Sequence, residues 1–342
     1  MKPRCLSWKR RMWREKKKYP EAAALAVSIL LLVGGISHAQ QDKKMISIAT
    51  GGTGGVYYPY GGGIANIVSK FIPGVQATAE VTAASVDNCK LIDVGKAEMG
   101  FMGADVAWDA FQGKLKNYPK KVPLRAVAVL YPNVTSLIVL EGKGINQISD
   151  LKGKRISTGA PNSGTEVKST RILEAYGIHP DKEVKREKLS FVESAGAIKD
   201  RKIDAVFVDG GIPLSAVMDL AASPGLKIRL LDHGEAVPKL VEKYGPVYYV
   251  FEIPKGTYPG VEYASKVVAN ANFLACHEKM DEKLVYSITK ALFDYKPDLV
   301  QVHQEAKSLT LENAVKGSPV PFHPGAAKYY GEKNLKVKVK VQ

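Results

Sequence analysis

Three short segments place hydroxyl residues beside glycines where an apolar run gives way to a helical pattern. The first runs from Thr50 through Gly51, Gly52, Thr53, Gly54 and Gly55 to Tyr57 and Tyr58. The second follows Thr82 and holds Ser85 and Asn88; the third holds Ser163, Gly164 and Thr165, with Glu166 next. Glycine lets another molecule approach the main chain. A helix start presents N–H groups without intrahelical acceptors and the positive end of the peptide dipoles. Together these are equipment for holding an anion, a carboxylate first. A fourth segment ends a strand at Asp209, continues with Gly210, Gly211 and Ile212, and opens a helix at Pro213. Each has a plainer explanation. Ser163 and Glu166 form a capping box, Ser85 with Asn88 reads as a cap, and Asp-Gly-Gly is an ordinary tight turn. Their occurrence at several equivalent turns favours a shared ligand, with Tyr57 as its aromatic contact.

Enzyme signatures are poor. The first glycine turn lacks the Gly-Lys-Ser/Thr of a phosphate loop, and no G-x-G-x-x-G follows the first strand. His277 and Glu278 lack the second histidine of a zinc-protease helix. Asn162-Ser163-Gly164 does not fit G-x-S-x-G. The six histidines are scattered, and none pairs with cysteine at metal-ligand spacing. No catalytic residue, metal ligand or cofactor is therefore assigned. The competing enzymatic reading is a secreted α/β hydrolase or lyase acting on a small acid, with Ser163 as nucleophile and a histidine and an acid brought in by folding.

The elements that must position these turns alternate. Strand-like runs at 46–50, 76–82, 99–102 and 124–130 are separated by helical patterns such as Ile64, Ile67, Val68 and Phe71. This alternation implies parallel β-α-β units. Tyr131, Pro132 and Asn133 break the first module, and 137–140 opens a second. Further strands are expected at 155–158, 189–192, 205–208, 228–231 and 247–251. After Ile253 and Pro254 the chain reads as largely helical, with 261–277 as one helix. The expected division is a first lobe from 44–132 and 253–342 and a second from 133–252.

Residues 2–18 are densely basic, 22–35 are apolar, and Ser37-His38-Ala39 is a small-x-small site. That is a secretory signal peptide over 1–39, so the mature chain is expected in the periplasm. The leader holds nine Lys/Arg and two Glu, so +7 of the +15 formal charge belongs to it and +8 to the rest. That remainder is diluted along the chain, which speaks against nucleic acid as a partner. Two cysteines, Cys89 and Cys276, remain outside the leader; a buried thiol and a single bridge are both open.

The landmarks themselves resemble a known family. In order they are Ile48-Ala-Thr-Gly-Gly-Thr-Gly-Gly-Val-Tyr-Tyr-Pro59, Ser85-Val-Asp-Asn88, Asp150-Leu-Lys-Gly-Lys-Arg155, Ser163-Gly-Thr165, Ile203-Asp-Ala-Val-Phe207, Gly211-Ile-Pro213 and His323-Pro-Gly-Ala326 with Tyr329 and Tyr330. This set is similar to that of TAXI proteins, the extracytoplasmic solute-binding receptors of one branch of TRAP transporters. The resemblance implies a type II periplasmic-binding-protein fold: two α/β lobes, two crossovers and an interlobe cleft. It implies a non-enzymatic receptor that captures a small organic anion, glutamate-like or 2-oxoglutarate-like, and hands it to TRAP permease subunits in the membrane. Carried over, Thr53, Tyr57, Ser85, Asn88, Ser163, Gly164 and Thr165 would line the cleft, with Gly210, Gly211 and Pro213 beside it. The chain departs from the family pattern at 261–268 and at Met102-Gly-Ala-Asp105.

Overall fold

The computed structural model describes residues 43–339; the expected leader lies outside them. β1 (Lys44–Ala49), α1 (Tyr57–Phe71), β2 (Val75–Glu80), α2 (Ser85–Asp93), β3 (Met99–Gly103) and α3 (Ala104–Gln112) follow one another. β1 pairs in parallel with both β2 and β3. Buried Ile64, Ile67 and Val68 recur at helical spacing on α1 and face this sheet, while Pro59 sits in its first turn, where no N–H is needed.

The same scheme returns after β4 (Leu124–Leu140). β5 (Arg155–Ser157), α4 (Gly164–Ala175), β6 (Lys185–Glu187), α5 (Phe191–Lys199) and β7 (Ala205–Gly210) form a second parallel unit, with β5 between β6 and β7. Then come α6 (Ser215–Ala221), β8 (Ile228–Leu231), α7 (Val237–Tyr244), β9 (Tyr249–Ile253) and β10 (Ser265–His277). Four helices close the described chain: α8 (Glu282–Asp294), α9 (Lys296–Val302), α10 (Leu311–Ala314) and α11 (Pro324–Glu332).

β4 and β10 join the two lobes. The first part of β4 pairs antiparallel with β10, whereas Val134 to Val139 pair with β7. β10 pairs with β9 over Ser265 to Ala269, then with β4, and with β3 from Asn272 onward. Each strand therefore passes from one lobe to the other, near Asn133 and between Ala269 and Asn272. The resulting order β2-β1-β3-β10-β4-β7-β5-β6 is a mixed α/β sheet with two crossovers, the type II binding-protein architecture. One apolar cluster runs through Ile48, Phe101, Val127 and Phe273; a second, in the β5–β7 lobe, gathers Leu137, Ile156, Ile172, Phe207 and Leu240.

Three sequence readings are corrected. The break expected at 131–133 is absent, and β4 continues through Pro132. β7 joins β4 only from Val134 on, so Pro132 is paired with Ala271 alone, an edge-like setting that tolerates proline. Residues 261–277 are not a helix. β10 is buried at nearly every position from Val267 to Cys276, so it lacks the alternation of a half-buried strand and reads as a continuous apolar run. Residues 189–192 are not a strand. The strand is the polar β6, and Ser190 caps α5 through a capping box with Glu193. Among the described residues no helix is long and apolar enough to cross a membrane. Cys89 and Cys276 are separate buried thiols.

Candidate functional site

A cleft of about 400 Å³ lies between the two lobes. Four helices begin at it: α1 and α2 from the β1–β3 lobe, α4 and α5 from the other. The parallel sheets dictate this, because every strand-to-helix turn emerges at the carboxyl edge of its sheet. The amides of Ser85, Gly164, Thr165, Phe191 and Val192 have no acceptor among the described residues. Several unpaired N–H groups and the positive ends of four helices therefore face one space.

Seven of the ten expected residues line this cleft: Thr53, Tyr57, Ser85, Ser163, Gly164, Thr165 and Gly210. Ser163 is also a working cap. Its Oγ accepts from the Glu166 amide at 3.0 Å and donates to the Ala160 carbonyl at 2.7 Å. Both bonds hold the hydroxyl to its own turn, and no histidine lines the cleft among the described residues. Ser85 is not a cap. It stands in the first turn of α2, and its Oγ accepts from the Gly103 amide at 3.2 Å. The preceding Ala84 takes φ 79°, a backbone region that is costly for a residue with a Cβ and is found preferentially at ligand sites. Tyr57 donates its hydroxyl to Asn272 Oδ1, and burial raises its pKa so that the phenol stays protonated.

Three expected residues lie outside the lining. Asn88 is fully buried beneath it; its Nδ2 donates to the carbonyls of Thr50 at 2.6 Å and Phe101 at 2.7 Å, tying α2 to β1 and β3. Gly211 abuts Glu305, whose carboxyl group a Cβ there would meet at 2.6 Å. Pro213 follows it at the entry to α6, away from the cleft. The His323-Pro-Gly-Ala326 landmark is likewise scaffold. His323 Nδ1 accepts from the Gly325 amide, and a Cβ on Gly325 would sit 2.2 Å from the Glu282 carbonyl of α8.

Sequence reading missed the floor of the cleft and one wall. The floor is Asp209, at the end of β7. Register sets it opposite Thr135 of β4, whose hydroxyl donates to Oδ1 at 2.7 Å. Asn133 donates to Oδ2 at 2.9 Å, and Lys168 of α4, itself fully buried, reaches Oδ1 at 2.8 Å and Oδ2 at 2.9 Å. Lys168 also donates to Asn270 Oδ1 on β10 at 3.0 Å. Burial pushes the Asp209 carboxyl up, and the Lys168 ammonium opposes that. Tyr131 also lines the cleft; it is 2% exposed and its hydroxyl has no partner among the described residues. The missed wall is the start of α5, with Phe191 and Val192 set against Gly55 and Gly54. Ser190-x-x-Glu193 was the available signal for it.

The lobes also touch outside the cleft. The Asp87 amide donates to the Asn162 carbonyl at 3.3 Å. Arg171 of α4 pairs with Asp109 of α3 and donates to Tyr248 at 2.7 Å; Tyr248 in turn donates to Asp105 at 3.1 Å. These contacts describe two lobes drawn together.

The chain is similar to the periplasmic aliphatic sulphonate binding protein SsuA from Escherichia coli, at 14% identity over 87% of each chain with a TM-score of 0.47. It is similar to a putative L-cystine ABC transporter from Listeria monocytogenes, at 17% identity over 77% of this chain and 95% of that one, TM-score 0.47. A third similarity is to the GluR0 ligand-binding core from Nostoc punctiforme in complex with L-glutamate, at 14% identity over 77% of this chain and 97% of that one, TM-score 0.47. A family model matches residues 48–333, from the first glycine turn to the last described helix, and by that match the chain belongs to the NMT1-like family.

Proposed function

We propose that this chain is the periplasmic solute-binding receptor of a TRAP-type transporter of the TAXI branch. It captures a small organic acid and delivers it to the membrane permease subunits. The observation that carries this reading is the convergence of four helix starts, with unpaired amides, on one cleft between two lobes. A carboxylate on those amides would sit where the partial positive charge is greatest. The fixed Ser163 hydroxyl, and a lining without histidine among the described residues, favour binding over catalysis. The ordered landmarks of the TAXI pattern support the TRAP assignment over other uptake systems.

Residues 44–132 and 253–342 form one lobe in this reading and 133–252 the other, with 1–39 removed on export. The lobes rotate about the two crossing strands, near Tyr131 to Val134 and Ala269 to Asn272, and the ligand favours the closed form. The closed form docks on the permease.

The test is calorimetric titration of the mature chain with 2-oxoglutarate and L-glutamate, alongside native mass spectrometry to identify any co-purified acid. Tyr57→Ala and Thr165→Ala should each weaken binding about tenfold or more, the scale of one lost buried hydrogen bond with its packing. Unchanged binding in both variants sinks the site. Product formation from the added acid points instead to the hydrolase or lyase alternative.

A further inference from the structure

The cleft is polar at its buried inner end and apolar at its mouth. At the inner end Ser85 and Tyr131 are each 2% exposed and Thr165 is 6% exposed. This end holds the unpaired amides of Ser85, Gly164 and Thr165, and the Tyr131 hydroxyl, which has no partner among the described residues. The starts of α2 and α4 meet here, since a Cβ on Gly164 would lie 2.9 Å from Ser85 Oγ. One carboxylate satisfies such a set of donors. The mouth differs. Val81 from one lobe and Val192 from the other are 57% and 60% exposed, with Phe191 half-buried beside Val192. An apolar group that covers these side chains gains about fourfold in affinity for each CH2 it buries.

Charge at the mouth points the same way. Among the described residues no lysine, arginine or histidine lines the cleft. Lys168 donates to Asp209 and Asn270 and does not reach the lining. Glu193 is exposed at the mouth and accepts from the Ser190 amide at 2.8 Å, a bond that lowers its pKa and keeps it ionised. Standing in the first turn of α5, it also offsets the positive end of that helix. A second carboxylate on the ligand would reach this end with no cation to pair with, among valines and against a like charge. We infer that the ligand is a monocarboxylate with an uncharged apolar tail, its carboxylate at the α2–α4 junction and its tail against Val81, Phe191 and Val192, and that Glu193 selects against dicarboxylates. This inference rests on the receptor reading above and departs from the dicarboxylic ligands that the family resemblance implies.

The experiment compares 5-methylhexanoate, glutarate and 5-aminopentanoate, which carry at C5 two methyl groups, two carboxylate oxygens and an ammonium. Each is titrated calorimetrically into the mature chain freed of co-purified ligand, beside 2-oxoglutarate and L-glutamate. 5-Methylhexanoate should bind about tenfold or more tightly than any of the others, the worth of burying its two methyl groups. Val192→Thr, which exchanges a methyl for a hydroxyl in nearly the same shape, should weaken 5-methylhexanoate about threefold to tenfold. Glu193→Gln can keep the capping box and should narrow the preference over glutarate about threefold. A misfolded variant would weaken every acid alike, so the ratios carry the test. Glutarate, 2-oxoglutarate or L-glutamate binding as tightly as 5-methylhexanoate overturns this inference and leaves the receptor reading standing. Tightest binding of 5-aminopentanoate overturns it too, and makes Glu193 the partner of a ligand cation. A preference unmoved in both variants overturns the role given to these side chains. If none of the five acids binds, the small-carboxylate receptor reading itself fails, and this inference with it.

Discussion

Two buried titratable side chains outside the cleft make opposite demands on pH. His233 is fully buried; its Nδ1 accepts from the Val268 amide at 3.1 Å, and its other ring nitrogen donates to the Thr135 carbonyl at 3.1 Å. The ring is therefore neutral, and burial lowers its pKa to about 4. Unfolded, it titrates near 6.5, so its share of stability is whole above that value and is lost as pH falls toward 4. Glu305 is the reverse case. Burial raises its pKa from 4.5 to about 7, while the Ile212 amide donates to it at 2.8 Å. Its share is whole below about 4.5 and is lost as pH rises through 7. Between about pH 4.5 and 6.5 the two slopes oppose each other. Urea unfolding at pH 5 and 7.5 should separate them. Glu305→Gln keeps the bond to Ile212 and removes the titration, so acid should destabilise it more steeply than wild type. His233→Gln should show a shallower acid loss. Each slope should change by up to about 1.4 kcal/mol per pH unit, and slopes equal to wild type in both variants would refute the assignment.

At the scale of elements, the cleft depends on how closely the start of α4 approaches α2. Gly164 makes this possible, since a Cβ there would lie 2.9 Å from Ser85 Oγ, which is itself held by the Gly103 amide. Gly164→Ala should therefore keep the lobes apart. Overpacking of this kind costs about 1–3 kcal/mol, so ligand affinity should fall roughly five- to a hundredfold by calorimetry while secondary structure is unchanged. Gly62→Ala, in α1 where a Cβ meets nothing within 4 Å, should instead raise the melting temperature slightly. Wild-type affinity in Gly164→Ala would mean that this contact does not set closure. These helix starts were legible in the sequence because caps and glycine turns are local: Ser163, Gly164 and Tyr57 announce themselves within a few residues. The floor was not legible. Asp209, Thr135, Lys168 and Asn270 are separated by 41 to 102 residues in their contacts and share no motif. β10 was misread for a related reason, since a strand buried on both faces carries no period by which to tell it from a core helix. β6 was missed because its three residues, Lys185 to Glu187, are polar and sit at the sheet edge.

At the scale of the whole molecule, closure has a stabilising contact that the ligand does not touch. Arg171 belongs to α4, Asp109 and Asp105 to α3 of the opposite lobe, and Tyr248 bridges them from the chain leading into β9. Arg171 also lies 3.9 Å from the Tyr244 ring centroid, and none of these five side chains lines the cleft. Both partners of the ion pair are about nine-tenths buried when the lobes meet. Removing one partner of such a pair leaves a buried charge uncompensated and typically costs about 3–5 kcal/mol. In a two-lobe receptor that cost falls mainly on the closed form, because opening returns Asp109 to water. Apparent affinity scales with the fraction of molecules able to close. Arg171→Met should therefore weaken ligand binding by one to three orders of magnitude without a change in the cleft itself, and small-angle scattering should give a larger radius of gyration in the absence of ligand. Adding Asp109→Leu removes the stranded charge and should recover part of the affinity. If Arg171→Met binds as wild type and scatters identically, the ion pair is a static brace within a molecule that does not open there, and closure must be governed by other contacts between the lobes, among them those of Gly164, Asn162 and Val192.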